Sequence, residues 1–591
     1  MNSRTKTALL ITQAAVILGI LGNVLLRATP WGANVLLFNL AFVGGMIMVS
    51  RRYRPEYLTP RTLSLFGAML FFASMFVIRD SIELRVADTV AILVTMGVLI
   101  LPNFGINQRI AGTFHYIAGF VLAGLSSLFA PFFLIGADID WKAMPGNRMS
   151  KSIFSVLRGL AIALPIVAIF GALLMAADAA FENFANRAIN FDLSTVISNV
   201  VVTSLLAWLT AGYFRGTLVE HFRGPVQVDK DVSPILTPDD MKADGQATVV
   251  DSSFVERFTA EASESSSLPD NATILEHINR SDPPDAKAEA GGVKPKKRDW
   301  QNWDNTSFPH VFTLGTVETV LILGLVDLLF LSFVIIQVPY LFGGMELVQT
   351  TPDFKLADYA RRGFGELVAV AALVLPILLA SQWLGRKESG CTEKLFRVLA
   401  GIQIGLLFVI MASAVQRLVL LTGSLGYGLT TIRLYPMIFM TWLAVVFIWF
   451  VLTVLRGARQ HFAWGALWSA FFILGATHVL NPDAFIVRTN IALMQQGREF
   501  DENYNFRLSA DAVPEVLAAL SQLNLDDQCR AKVELHNLYR QLGQTRDLRS
   551  WNLSRKTAWS ALNQSDPVLH QVEGCQSWVH DNLKLDDEST R

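Results

Sequence analysis

Val320-Leu-Ile-Leu-Gly-Leu-Val-Asp-Leu-Leu-Phe-Leu-Ser-Phe-Val-Ile-Ile336 contains a single ionisable side chain, Asp327. The surrounding run, 314–338, is long enough to cross a bilayer, since about 20 apolar residues in a helix span about 30 Å of hydrocarbon. It shows none of the period-two alternation of a membrane barrel strand. A continuous helix also satisfies its own backbone groups in lipid. The run therefore predicts a transmembrane helix.

Similar runs recur in both directions. They lie near 8–26, 31–50, 62–78, 87–104, 111–135, 158–178 and 195–214, and then near 363–384, 395–420, 430–455 and 461–480. With 314–338 they make about twelve spans, with eleven to thirteen allowed. The expected fold is all-α, a polytopic helical bundle. Composition agrees: of 591 residues 52% are hydrophobic and 17% charged, against about 25% charged in soluble domains. The mean hydropathy is +0.40. The net charge of -1 offers no clustered basic face for nucleic acid. Arg4 and Lys6 precede the first run as they would in a signal peptide, but that run is long for one and has no clear cleavage site, so it reads as a span.

Two stretches break the pattern. Residues 221–307 are rich in Ser, Asp, Glu, Pro and Lys and end in Lys294-Pro-Lys-Lys-Arg298. So few apolar side chains cannot offset chain entropy, and a disordered charged linker is expected. Its basic end suits either anionic headgroups or plain solvation. The expected domains are thus an N-terminal membrane block at 1–220, the linker at 221–307, a second block at 308–481 and a helical extramembrane tail at 482–591. Within the tail, Ser509 or Asp511 is placed to cap a helix carrying Pro514 in its first turn. Amphipathic stretches follow near 526–542 and 551–563.

Lys and Arg favour the cytoplasm in short loops. The loops at 142–158, 386–397 and 456–459 agree with one another, placing the linker inside and the tail outside. The loop at 51–61 falls one crossing out of step. In the later orientation Cys529 and Cys575 share the oxidising side, either as a disulfide or as two unpaired thiols, and Cys391 faces the other side.

No Walker loop, dinucleotide turn, H-E-x-x-H or G-x-S-x-G is present, and no C-x-x-C spacing suggests zinc. The expectation is a protein that is not an enzyme and carries no cofactor or metal. Asn481-Pro-Asp-Ala484 shares a fragment with an intramembrane metalloprotease pattern but lacks its zinc-binding helix. Gly426-Tyr-Gly428 lacks the pore helix that a potassium filter requires. Ionisable groups inside spans carry more information, because each is costly there. Glu318 and Asp327 are nine residues apart and point in nearly opposite directions. Asp327, near mid-span, is the candidate, read either as a functional carboxylate or as a buried one bonded to a neighbouring helix. Gln403 suits an interhelical hydrogen bond. A second group, Glu366, Arg417, Arg433, His478 and Asp483, lies at span ends on one side. It could bind an anionic solute or lipid headgroup or simply consist of interface charges and ion pairs.

Several stretches resemble an uncharacterised bacterial integral-membrane family known only as a domain of unknown function. They include Asp358-Tyr-Ala-Arg-Arg-Gly-Phe-Gly-Glu-Leu367, Gly428-Leu-Thr-Thr-Ile-Arg-Leu-Tyr435, Asn481-Pro-Asp-Ala-Phe-Ile-Val-Arg-Thr-Asn490, Leu508-Ser-Ala-Asp-Ala-Val-Pro514 and Arg549-Ser-Trp-Asn-Leu-Ser554. The likeness covers about 310–565, with weaker echoes at Arg79-Asp-Ser81 and Ala177-Asp178. It implies a bacterial inner-membrane location and a shared architecture, but no activity. Two functions are carried forward: binding or movement of a small anionic solute or headgroup, and a scaffold or envelope sensor acting through linker and tail.

Overall fold

A computed structural model describes residues 3–139, 193–219, 314–342, 364–385, 390–419, 422, 428–498, 500–544 and 547–565. The chain divides into two compact units, one formed by Met1–Phe222 with Trp300–Arg591 and the other by Arg223–Asp299. The second unit, and with it the expected linker, lies outside the described residues, as does the candidate span at 158–178.

The described residues are helical, apart from turns and one isolated bridge between Leu314 and Gly385. The first block contains α1 (Ser3–Leu26), α2 (Ala33–Tyr53), α3 (Pro60–Ile78), α4 (Ile82–Leu99), α5 (Thr113–Phe133) and α6 (Leu193–Leu218). The second contains α7 (Thr316–Phe342), α8 (Phe364–Leu384), α9 (Gly390–Val419), α10 (Thr431–Thr453) and α11 (Phe462–Leu480). Eleven described segments are long and apolar enough to cross a membrane, one for each expected run except 158–178. The tail follows as α12 (Pro482–Gln495), α13 (Glu502–Asn505), α14 (Val513–Ala519), α15 (Leu525–Gln544) and α16 (Leu553–Gln564).

Three of the four apolar cores among the described residues define the architecture. One joins the first block to Leu467 and Phe471 of α11. A second joins α7 to α10 and includes Phe462 of α11. Helix α11 is therefore the seam between the blocks, with its start in one core and its middle in the other. Phe471 meets Phe72 of α3 edge-on at 5.1 Å. The tail has its own core around Val487, Phe506, Val516, Leu535 and Leu562.

Polar contacts identify the two ends of the bundle. At one end Asp138 takes Arg4 Nε at 2.8 Å and Arg215 Nε at 2.5 Å, and Arg54 donates to Asn103 at 2.7 Å and to the Thr217 carbonyl at 3.2 Å. This arginine end thus collects the start of α1 and the finishes of α2, α4 and α6. Antiparallel to α1, α6 places Asn199 3.0 Å from Asn23 near the opposite end. In the second block the Leu314 N–H donates to the Leu384 carbonyl at 2.9 Å, and the hydroxyls of Thr316 and Thr392 meet at 2.6 Å. Phe114 stacks on Trp383 at 5.8 Å, tying these helix ends to the first block.

The loop containing Arg51–Arg54 and Arg61 therefore lies at the same end as the cationic turns at Arg397, Arg456 and Arg459. This differs from the expected crossing order, which put that loop one crossing out of step. Glu318 is exposed and Asp327 buried on the same helix, as their nearly opposite directions require.

Candidate functional site

The opposite end, where the tail sits, is built from helix termini. A helix leaves four N–H groups and four carbonyls without intrahelical partners, and burying them unpaired is costly. Here residues of the tail supply many of the partners. Arg549 donates to the Val24 carbonyl in the last turn of α1 at 2.5 Å. The Trp551 carbonyl accepts the Ala33 N–H, the first of α2, at 2.9 Å. Asn552 donates to the Phe76 and Arg79 carbonyls at the end of α3, at 2.9 and 2.8 Å. The same side chain accepts the Arg555 N–H and so caps its own helix, α16. Gly32 lies so close that an added Cβ would meet the Trp551 carbonyl at 2.4 Å, which requires a residue without one.

Asp511 serves the fourth helix. One of its oxygens accepts the N–H groups of Asp80 and Ser81, just before α4, at 2.6 and 2.9 Å. Its charge sits at the positive end of the α4 dipole, where Ser81 itself makes no cap bond. The other oxygen pairs with Arg79 at 3.5 Å. Arg79 in turn donates from Nε and Nη2 to the His478 carbonyl at the end of α11, at 2.9 and 2.6 Å. Of the two expected capping residues, Ser509 caps the turn before α14, while the Asp511 carboxylate serves the membrane bundle instead. Pro514 lies in the first turn of α14, as expected.

Below this layer His478 Nε2 meets Asp88 at 2.8 Å, both side chains being buried. This contact joins α11 to α4, and so the second block to the first. Asp80 is held by Arg85, and by Arg555 at 3.4 Å. Burial depresses the Arg555 guanidinium to about 10. Ser81 bonds Glu83 at 2.9 Å and lies 3.3 Å from the Tyr435 hydroxyl of α10. Asp483, at the start of α12, accepts from the Ser509 hydroxyl. Its second oxygen is buried without a hydrogen bond. Burial pushes the Asp483 carboxyl up to about 6; Asp511 and Glu83 add to the rise and the Ser509 bond opposes it. Asn481 precedes α12 at φ 54°, a left-handed conformation that Asn tolerates better than most residues. The Asn481-Pro-Asp stretch is thus the turn that aims Asp483 into the junction.

Of the six residues singled out from sequence, His478 and Asp483 enter this junction. Arg433 donates to the Gly428 carbonyl at the start of α10. Arg417 is buried near the end of α9, and Glu366 is exposed at the start of α8. Asp327 belongs to the second core, away from the junction. Sequence reasoning missed Asp88, although a lone acid inside an apolar run was a readable signal. It also missed Asp511 as a bundle ligand and Asn552 as a double cap. Their partners lie hundreds of positions away, which no local pattern reveals. Cys529 is disulfide-bonded; Cys575 and the side chain of Cys391 lie outside the described residues.

The network ties together the turn at 79–81, the turn at 481–483 and the tail stretch at 508–514. A family profile spans all three, matching residues 66–234 and 289–519 and described as a domain of unknown function, DUF4153. The chain belongs to the DUF4153 family. The match begins within α3, leaving out α1 and α2, and stops within the tail, so the DUF4153 region includes Asp511 but not Asn552. No curated protein and no solved structure matches the chain.

Proposed function

We propose that this DUF4153 protein is a bacterial inner-membrane sensor or scaffold, non-catalytic, whose helical tail reads conditions or partners outside the cytoplasm and conveys them to the bundle. One observation supports this reading above the others: the tail supplies partners to the ends of four successive helices, α1 to α4. Any change that lifts the tail must then alter the bundle. The orientation rests on the arginine end, whose loops carry Arg51, Arg52, Arg54, Arg61, Arg397, Arg456 and Arg459, as a cytoplasmic face would.

Hydrogen exchange on the full chain in lipid nanodiscs tests the coupling. Asp511→Ala is expected to speed exchange at 79–85 and also at the end of α11, which Arg79 holds. Faster exchange confined to the tail would sink the sensor reading.

Anion binding is retained as a second reading because Arg417 and Arg433 stand at the ends of consecutive helices, α9 and α10, one buried and one half-buried. Their guanidinium groups suit a phosphate or carboxylate, whether free or on a lipid. Binding of inorganic phosphate, and of vesicles containing anionic lipid, should weaken in Arg417→Ala and Arg433→Ala. Full binding in both variants rules the reading out.

A further inference from the structure

Two buried polar side chains in the second block have no role in the junction. Asp327 of α7 is 7% exposed and Gln403 of α9 is 0% exposed. Neither carboxylate oxygen of Asp327 has a hydrogen-bond partner, and neither Oε1 nor Nε2 of Gln403 has one.

Helix register brings the two together. Helices α7 and α9 pack against each other. Both start at the arginine end, where Thr316 and Thr392 touch hydroxyl to hydroxyl at 2.6 Å. Asp327 lies eleven residues beyond Thr316, and Gln403 eleven beyond Thr392. Eleven residues make about 1100° of helix, three turns with about 20° left over, and about 16.5 Å of rise. Both side chains therefore return to the face that the threonines share, at one depth, near the middle of about 30 Å of hydrocarbon. The buried stripes follow the same face: Thr319, Leu323, Asp327 and Phe330 on α7, and Phe396, Ala400, Gln403 and Leu407 on α9.

We infer that Asp327 and Gln403, which are not hydrogen-bonded to each other in this structure, close into a proton-binding pair in the membrane interior when a proton is loaded, distinct from the tail junction and independent of the function proposed for it. After protonation and a side-chain rotation, the carboxyl donates its O–H to Gln403 Oε1 and accepts from Nε2 on its other oxygen, so the four atoms left unpaired in this structure each gain a partner. An ionised carboxylate is acceptor-only, so it has no proton to donate and leaves Gln403 Oε1 unpaired. A metal cation fits less well. Leu323, Phe330, Ala371, Val374, Ile404 and Leu407 of the same core are apolar, and among the described residues no group of three or more His, Cys, Asp or Glu could hold a metal ion. Loading the proton locks α7 to α9, and losing it removes that lock.

Infrared difference spectroscopy of the full chain in liposomes tests the pair. At pH 7 a carboxylic-acid C=O band is expected that shifts in D2O, is lost in Asp327→Asn and is displaced in Gln403→Leu. Absence of the band from the unmodified chain overturns protonation without reference to any variant. A band unchanged in Asp327→Asn, or unmoved in Gln403→Leu, overturns the pair. A band abolished by sodium at constant pH assigns the site to a metal cation instead and likewise overturns the inference. Oxidative cross-linking of Thr316→Cys with Thr392→Cys, added to each variant, reports that the helices still pack.

Discussion

Asp511 combines three roles in one carboxylate: acceptor for two backbone N–H groups, negative charge at a helix start, and partner of Arg79. Breaking a buried charge pair costs about 3–5 kcal/mol, because the group left behind stays desolvated. Asp511→Ala is expected to destabilise the protein by about 3 kcal/mol or more, measured by denaturation in detergent, with Asp511→Asn milder because one acceptor oxygen remains. Asp483 behaves differently. Its folded carboxyl keeps a proton up to about 6, whereas an unfolded chain loses it near 3.9. Between those values the folded state binds more protons, so this contribution is full below about pH 4 and falls as pH rises. It is gone above about 6, a difference of about 3 kcal/mol. The charged groups facing Asp483 are Asp511 and Glu83, both acids, which sharpens the effect. Asp483→Asn should flatten the stability profile over that window, and an unchanged slope would place the titration elsewhere. The position of Asp483 at a span end was legible in the sequence; that its neighbours are acids from α4 and the tail was not.

At the level of helices, hydrophobic run length was a sufficient signal. The run expected at 314–338 became α7 and that at 363–384 became α8, because in lipid a long apolar segment has no competing way to satisfy its backbone. The tail stretches expected at 526–542 and 551–563 became α15 and α16, where amphipathic spacing marks the face toward a separate core. Pairing between helices was not legible. The contact of His478 with Asp88 joins positions 390 residues apart, and in an apolar run a single acid looks the same whether it is paired or orphaned. Register is nonetheless testable. Thr316→Cys with Thr392→Cys should cross-link readily in the full chain, since the native hydroxyls are 2.6 Å apart. Moving one cysteine by two residues turns it about 200° away and should abolish the bond. Equal yields from both pairs would refute the parallel register of α7 and α9.

At the scale of the molecule, among the described residues the cationic turns at Arg51–Arg54, Arg61, Arg397, Arg456 and Arg459 gather at one end and the tail packs on the other. Thiol labelling in intact cells and in inverted vesicles should therefore find cysteines placed at 52 and 457 on one side and a cysteine at 548 on the opposite side. Labelling of 52 and 548 from the same side would invert this arrangement. The helical class and eleven of the expected spans were readable from composition and apolar runs, whereas the tail's role as the partner of helix ends emerges only from tertiary structure. That role also has a consequence for biogenesis. The turn at 79–81 is made early, yet its acceptor Asp511 emerges about 430 residues later. At about 5–20 residues per second the ribosome needs roughly 20–90 s to deliver it. Throughout that interval the first four helices must stand in the bilayer with exposed termini, sheltered by the insertion machinery or by water. Chains that stop before the tail never leave that state, and in a pulse–chase experiment a chain ending near 480 should be cleared by membrane proteases faster than the full one.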